Sequence, residues 1–141
     1  MKYGSYILEK KEYVYIKRLL NISGYDQTLA SKRALSTLKE KLEDALIVDE
    51  KEMPLDIIKL NSLITIKAVN TNSVMPLQLV IPMFEDLERN KISVLSPLGV
   101  TLLGYSQGDK TKVTFSENNK EEYLITEVAQ GEKAEKIEVP I

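Results

Sequence analysis

The side chains that perform most enzyme chemistry are missing from this chain. It contains no histidine and no cysteine, which excludes imidazole acid–base catalysis, Ser/His/Asp triads, thiolate nucleophiles and the usual zinc sites. Its glycines form neither a GxGxxG motif nor a phosphate loop. Most acidic residues of the C-terminal two thirds fall in turns or at outward strand positions, which is typical of a solvated surface. We therefore predict a protein that is not an enzyme, with no catalytic residue, metal site or cofactor.

Charge in the N-terminal third carries more information. From Lys17 to Arg33 the chain has four basic residues and a single acid, Asp26. If this segment folds back on itself, Lys17 comes level with Arg33 and Arg18 with Lys32, and the four form a basic collar. Such a collar is either the ordinary charged exterior of a helix pair or a positive arm attracted to nucleic acid, or to the acidic interior of a protein that handles it.

The elements that must position this collar are two helices. Apolar residues recur at helical spacing before and after the segment NISGYDQ, which predicts a first helix over 9–21 and a second over 27–48. The apolar stripes are narrow, like the seam of a coiled coil. The first 48 residues are therefore predicted to form an antiparallel helical hairpin, with Tyr25 and Asp26 at its tip.

The spacing of apolar residues changes from helical to alternating after residues 48–56, VDEKEMPLD, where Pro54 cannot continue a helix. We predict a domain junction there and a second domain over 49–141, which makes the chain an α+β protein. The predicted strands are 63–69, 77–84, 91–95, 110–115 and 123–128.

One short helix interrupts these strands within SPLGVTLLGYSQGDKTKV, residues 96–113. The Ser96 hydroxyl can accept a free backbone N–H at the start of a helix, and Pro97 has no N–H to satisfy. Gly104 stands where the helix must end.

No apolar run approaches the roughly 20 residues that cross a bilayer, and the start, MKYGSYILEKKEY, becomes charged too early for a secretory signal. We therefore expect a cytoplasmic protein without membrane contact.

The hairpin, the junction EMPLDIIKLNSLITIKAV and the segment ISVLSPLGVTLLGYSQGDKTKV together resemble the GreA/GreB family of bacterial transcript-cleavage factors. The short arm and MPLDIIKLNS are most similar to its non-cleaving branch, Rnk, named as a regulator of nucleoside diphosphate kinase. The resemblance covers most of the chain, from about residue 9 to residue 129.

This resemblance implies an antiparallel, FKBP-like β domain that docks on the rim of the RNA polymerase secondary channel while the coiled coil points into the channel. It implies a monomer that makes no sequence-specific nucleic-acid contact. The docking surface it implies includes the start of the short helix, which is Ser96, Pro97, Leu98 and Gly99.

The tip departs from the family pattern. Gre factors carry an Asp and a Glu there that help to hold the second metal ion of the polymerase active site, whereas Asp26 is the only acid between Glu12 and Glu40. We therefore expect no stimulation of transcript cleavage. Two alternatives remain, a regulator of a nucleotide enzyme and an FKBP-type prolyl isomerase, although the latter needs a pocket lined by aromatic residues and the chain has two phenylalanines and no tryptophan.

Overall fold

A computed structural model describes residues 2–22, 29–116 and 118–130. Two helices, α1 (Lys10–Ile22) and α2 (Leu29–Asp44), form the predicted N-terminal pair. The Glu9 carboxylate accepts the backbone N–H of Glu12 at 3.1 Å, so it satisfies one of the free donors at the start of α1. The predicted tip residues Tyr25 and Asp26 lie outside the described residues.

The second helix is shorter than its predicted range of 27–48. It ends at Asp44, and the next residues form strand β2 (Leu46–Val48), which pairs in parallel with β1 (Ile7–Glu9). The Leu46 N–H donates to the Tyr6 carbonyl at 2.8 Å. The helix prediction was wrong at this end because the apolar run ALIV gains a strand partner that lies almost 40 positions earlier in the chain.

Five further strands form one sheet, and they correspond to the five predicted strands with shifted ends. The order across the sheet is β5-β4-β3-β7-β6, and every pair is antiparallel except β4 with β5. The prediction of a mixed α+β fold is confirmed. The strands are β3 (Ser62–Ala68), β4 (Val74–Val80), β5 (Lys91–Ser93), β6 (Lys110–Ser116) and β7 (Asn119–Gln130).

The chain leaves strand β4 earlier than the sequence predicts. The predicted strand 77–84 stops at Val80, and two single 3-10 turns follow, Pro82–Phe84 and Leu87–Arg89. Pro82 has no N–H for a ladder, which accounts for the early end. Phe84 therefore lies on an exposed turn, whereas the sequence had placed it in a strand.

The short helix α3 spans Pro97–Leu102, as the sequence predicts. Ser96 is its N-cap, because its hydroxyl oxygen accepts the Gly99 N–H at 3.0 Å. Gly104 follows the helix with a φ of +86°, a conformation that glycine adopts without strain.

The helical pair and the sheet share one apolar core. Leu8, Ile16 and Leu38 from the N-terminal part are fully buried in the same cluster as Ile66 of β3 and Leu102 of α3. The boundary between residues 48 and 49 stays a prediction, since the base of the arm and the sheet bury each other's apolar side chains. Within the described parts of the chain, no helix is long and apolar enough to cross a membrane.

Candidate functional site

The predicted docking segment is held by hydrogen bonds around Ser93. The Ser93 carbonyl accepts the backbone N–H of Ser96 at 3.0 Å and its hydroxyl at 2.7 Å. The Ser96 hydroxyl thus serves as both donor and acceptor inside the protein. This arrangement fixes where α3 begins relative to the end of β5.

Two of the four predicted docking residues are buried. Leu98 is only 7 % exposed and belongs to the core. Gly99 is buried against the backbone of β5, and a Cβ built there would lie 2.0 Å from the Ser93 carbonyl oxygen. The glycine is therefore required by the close packing of α3, and Pro97 is the partly exposed apolar side chain of the four.

A cleft of about 430 Å³ lies between α2, α3 and β6. Pro97 and Thr101 of α3 line it, as do Arg33 and Glu40 of α2. Lys41, Tyr6 and Tyr105 line it as well. The predicted docking helix and the arm therefore border one surface depression.

Lys41 is buried at the contact between α2 and α3. Its ammonium donates to the carbonyl oxygens of Val100, Thr101 and Leu103 at 2.8, 2.7 and 2.7 Å. It also lies 4.5 Å from the centre of the Tyr6 ring and 5.0 Å from that of Tyr105. Burial lowers the pKa of Lys41 well below its usual value, while the carbonyls and ring faces favour the charged form.

The first helix has its own buried charged residue. The Glu12 carboxylate accepts the backbone N–H of Leu60 at 3.0 Å, which bonds α1 to the segment before β3. Burial raises the pKa of Glu12 from 4.5 to about 7. Lys41 and Glu12 therefore bond the two helices of the arm to two different parts of the sheet domain.

Neither residue was among those predicted from the sequence, although their spacing carried a signal. Glu12 lies four positions after Leu8 and four before Ile16, and Lys41 lies three after Leu38. Both charges thus fall on the apolar stripe of their helix, where a charged side chain must find partners.

The predicted basic collar divides between two surfaces. Lys17 lies in a groove between α1 and α2, with its ammonium 5.3 Å from the centre of the Tyr13 ring. Arg33 lines the cleft beside α3, while Arg18 and Lys32 are exposed. Their role in binding stays a prediction.

In the described ranges, which exclude the tip, no group of three or more acidic side chains is placed to hold a metal ion.

Comparison with known proteins adds to this geometry. A sequence model described as "Transcription elongation factor, GreA/GreB, C-term" matches residues 53–130, more than half of the chain. The chain belongs to the GreA/GreB family. The matched region contains the sheet, α3 and the whole SPLG segment.

Individual family members agree with this assignment. The chain is 34% identical over 79 residues to transcription elongation factor GreA of Chloroherpeton thalassium, covering 56% of this chain and 50% of that protein. It is 33% identical over 100 residues to GreA of Clostridium beijerinckii, covering 70% of this chain and 62% of that protein. The chain thus spans about half the length of the first of these GreA relatives.

A solved structure extends the similarity to the helical arm. The structure titled "Prokaryotic transcription elongation factor GreA/GreB from Nitrosomonas europaea" superposes with a TM-score of 0.71 at 25% identity. The superposition covers 89% of this chain and 98% of the Nitrosomonas europaea chain. The combination of arm and sheet is therefore an arrangement that this GreA/GreB structure shares.

Proposed function

We propose that this protein binds RNA polymerase at the rim of the secondary channel, with its helical arm directed into the channel. There it modulates elongation or excludes other factors that use the channel. The family membership supports a polymerase partner, because the relatives are named as transcription elongation factors.

The observation that carries the proposal is the bonding of Lys41 to α3. A factor that docks by its sheet domain and acts through its arm needs a fixed angle between the two. Lys41 donates to two carbonyls of α3 and to that of Leu103 directly after it, and these three hydrogen bonds join the arm to the predicted docking helix. Docking of α3 then determines the direction in which α2 points.

We propose further that the protein does not stimulate transcript cleavage and acts in the manner of the Rnk branch. Magnesium is held by oxygen ligands, with carboxylates foremost. Asp26 is the only acid from residue 13 to residue 39. One carboxylate beside the four cations of the basic collar is a weak ligand set for a second metal ion.

Two measurements test the proposal. The tagged full-length chain should retain RNA polymerase from a lysate and bind purified core polymerase at a single site. On a backtracked elongation complex it should leave Mg²⁺-dependent RNA shortening at the polymerase's own rate, with a GreA protein as the positive control. Retention of a nucleotide enzyme in place of polymerase would overturn the first part, and accelerated shortening would overturn the second.

A further inference from the structure

Three apolar side chains are exposed together on the two 3-10 turns that follow β4. Met83 is 81% exposed, Phe84 40% and Leu87 66%. We call these three residues the apolar projection. A single exposed apolar residue is ordinary, whereas three within five positions form a patch of the kind that marks interaction sites.

The backbone of this segment is held in place by local hydrogen bonds. The Phe84 N–H donates to the Ile81 carbonyl at 3.0 Å. Asp86 and Lys91 exchange backbone hydrogen bonds of 3.0 and 2.9 Å, which close the segment into a loop. A partner would therefore meet a surface that is already ordered, and binding would cost little conformational entropy.

The projection is bonded to the same residue as the start of α3. The Glu85 carboxylate accepts the Ser93 N–H at 3.3 Å, and the Ser93 carbonyl accepts both the N–H and the hydroxyl of Ser96. Met83 and Phe84 directly precede Glu85 in the chain. The turns that carry the projection are thus connected by hydrogen bonds to the proposed docking segment through Ser93.

The docking helix has few apolar atoms to offer a partner. Leu98, Val100 and Leu102 are all buried in the core, and Gly99 packs against β5. Interfaces of this kind depend on a few apolar anchors that become fully buried on binding. Near α3, the projection supplies large apolar side chains that solvent still reaches.

Charge around the projection indicates the chemistry of its partner surface. The segment 82–89 has three acids and one base, a net charge of 1 − 3 = −2. Arg89 lies 3.6 Å from Asp86, and Glu85 is bonded to Ser93, while the exposed Glu88 has no partner among the described residues. A complementary surface is apolar at its centre and basic at its border.

We infer that Met83, Phe84 and Leu87 are the apolar anchors by which this protein docks on RNA polymerase, against an apolar patch bordered by Lys or Arg. The inference rests on the proposed function and names the surface that performs it. It also assigns to residues 96–99 the task of positioning this surface.

The test uses the full-length chain and purified RNA polymerase core enzyme. The variant Met83→Ser with Leu87→Ser removes exposed apolar area without adding charge. We expect its Kd to rise at least tenfold, since a few central anchors supply most of the binding free energy of an interface. The matched control is Val69→Ser with Val74→Ser, two exposed apolar residues that flank the turn from β3 to β4. Val74 begins β4, about 20 Å from the other end of that strand at the usual rise per residue.

The outcomes separate the two proposals. If wild type binds and Met83→Ser/Leu87→Ser binds with the same Kd, this inference alone is overturned. The same holds if the control Val69→Ser/Val74→Ser loses as much affinity for polymerase as Met83→Ser/Leu87→Ser. Absence of wild-type binding overturns the proposed function together with it. Thermal unfolding of each variant shows whether any loss of binding comes from loss of the fold.

A second variant tests the basic border. Glu88→Lys reverses an exposed charge without touching the apolar side chains, and we expect a lower association rate at low salt, by several fold. Glu127→Lys, an exposed acid on β7, is its control. An association rate for Glu88→Lys that equals or exceeds that of the control would show that the partner surface is not basic.

Discussion

The ammonium of Lys41 lies 2.7 Å from the carbonyl oxygen of Leu103, although 62 positions separate these residues in the chain. The last carbonyls of a helix have no partner within it and carry partial negative charge. Lys41 of α2 therefore caps the C-terminal end of α3 with a buried cation. This contact joins the arm to the segment that we propose positions the docking surface.

Replacement of Lys41 by Met should destabilise the fold. Methionine fills much of the same volume, but it leaves three carbonyls, two of them buried, without their donor. We therefore expect the free energy of unfolding to fall by about 2–4 kcal/mol. Urea denaturation of the two proteins measures this difference.

Lys39→Met is the matched control, because Lys39 is exposed on the same helix. Its effect should stay within about 0.5 kcal/mol, as for most surface substitutions. If Lys41→Met is as stable as Lys39→Met, the buried bonds of Lys41 do not hold α2 on α3.

Glu12 should make stability depend on pH. Its pKa is raised in the folded state from 4.5 to about 7, so the folded protein binds more protons than the unfolded chain between these values. The contribution of Glu12 to the free energy of unfolding is then fully present below about pH 4.5 and is lost as the pH rises toward 7. The total loss is about 3 kcal/mol.

The variant Glu12→Gln isolates this effect. Its amide oxygen can still accept the Leu60 N–H, and its neutral side chain removes the proton linkage. Unfolding curves from pH 4 to pH 8 should show a flatter profile for Glu12→Gln than for wild type, and no such flattening for the exposed Glu43→Gln. Equal slopes for wild type and Glu12→Gln would contradict the raised pKa.

Gly99→Ala should disturb the contact between α3 and β5. The added Cβ would lie 2.0 Å from the Ser93 carbonyl oxygen, so backbone must shift. Overpacking of this kind costs about 1–3 kcal/mol. Thr101→Ala, on the same helix but half-exposed, serves as the comparison in thermal unfolding. A melting temperature for Gly99→Ala equal to that of wild type would mean that the glycine is not needed for packing.

The basic collar should govern the salt dependence of polymerase binding. Replacing Lys17, Arg18, Lys32 and Arg33 by Glu should lower the association rate and flatten its dependence on ionic strength, because exposed charges act over about 8 Å at physiological salt. Stopped-flow measurements at several salt concentrations check this expectation, with circular dichroism to confirm folding.

A control with the same change in charge reverses four lysines outside the collar: Lys51, Lys67, Lys110 and Lys120. A collar variant that associates at the wild-type rate in low salt would show that these four residues do not steer binding.

Much of the local structure followed from the sequence. Helical spacing around Ile16 and Leu38 predicted both helices of the arm, and the pair Ser96 and Pro97 predicted the start of α3 to the residue. These features depend on neighbours within one or two turns of the chain, so the residues that decide them are close together in the sequence. The resemblance to the GreA/GreB family rested on the same short segments.

Only the tertiary structure decided which side of α3 meets solvent. The sequence shows that Leu98 is an apolar residue at the start of a helix. At such a position the local sequence pattern is the same for a residue buried in the core and for an exposed binding anchor. Its burial follows from how α3 packs on the core, while Met83 and Leu87 are exposed because Pro82 ends β4 and the chain turns away from the sheet.

Long-range pairing decided the remaining features. β2 exists because Ile7 lies beside Leu46, and Lys41 is buried because α3 presents its carbonyls to α2. The absence of histidine and cysteine, a property of composition alone, had already excluded imidazole and thiolate chemistry. The partners of the two buried charges lie about 50 to 60 positions away, Leu60 for Glu12 and Leu103 for Lys41, and no local pattern encodes which residues these are.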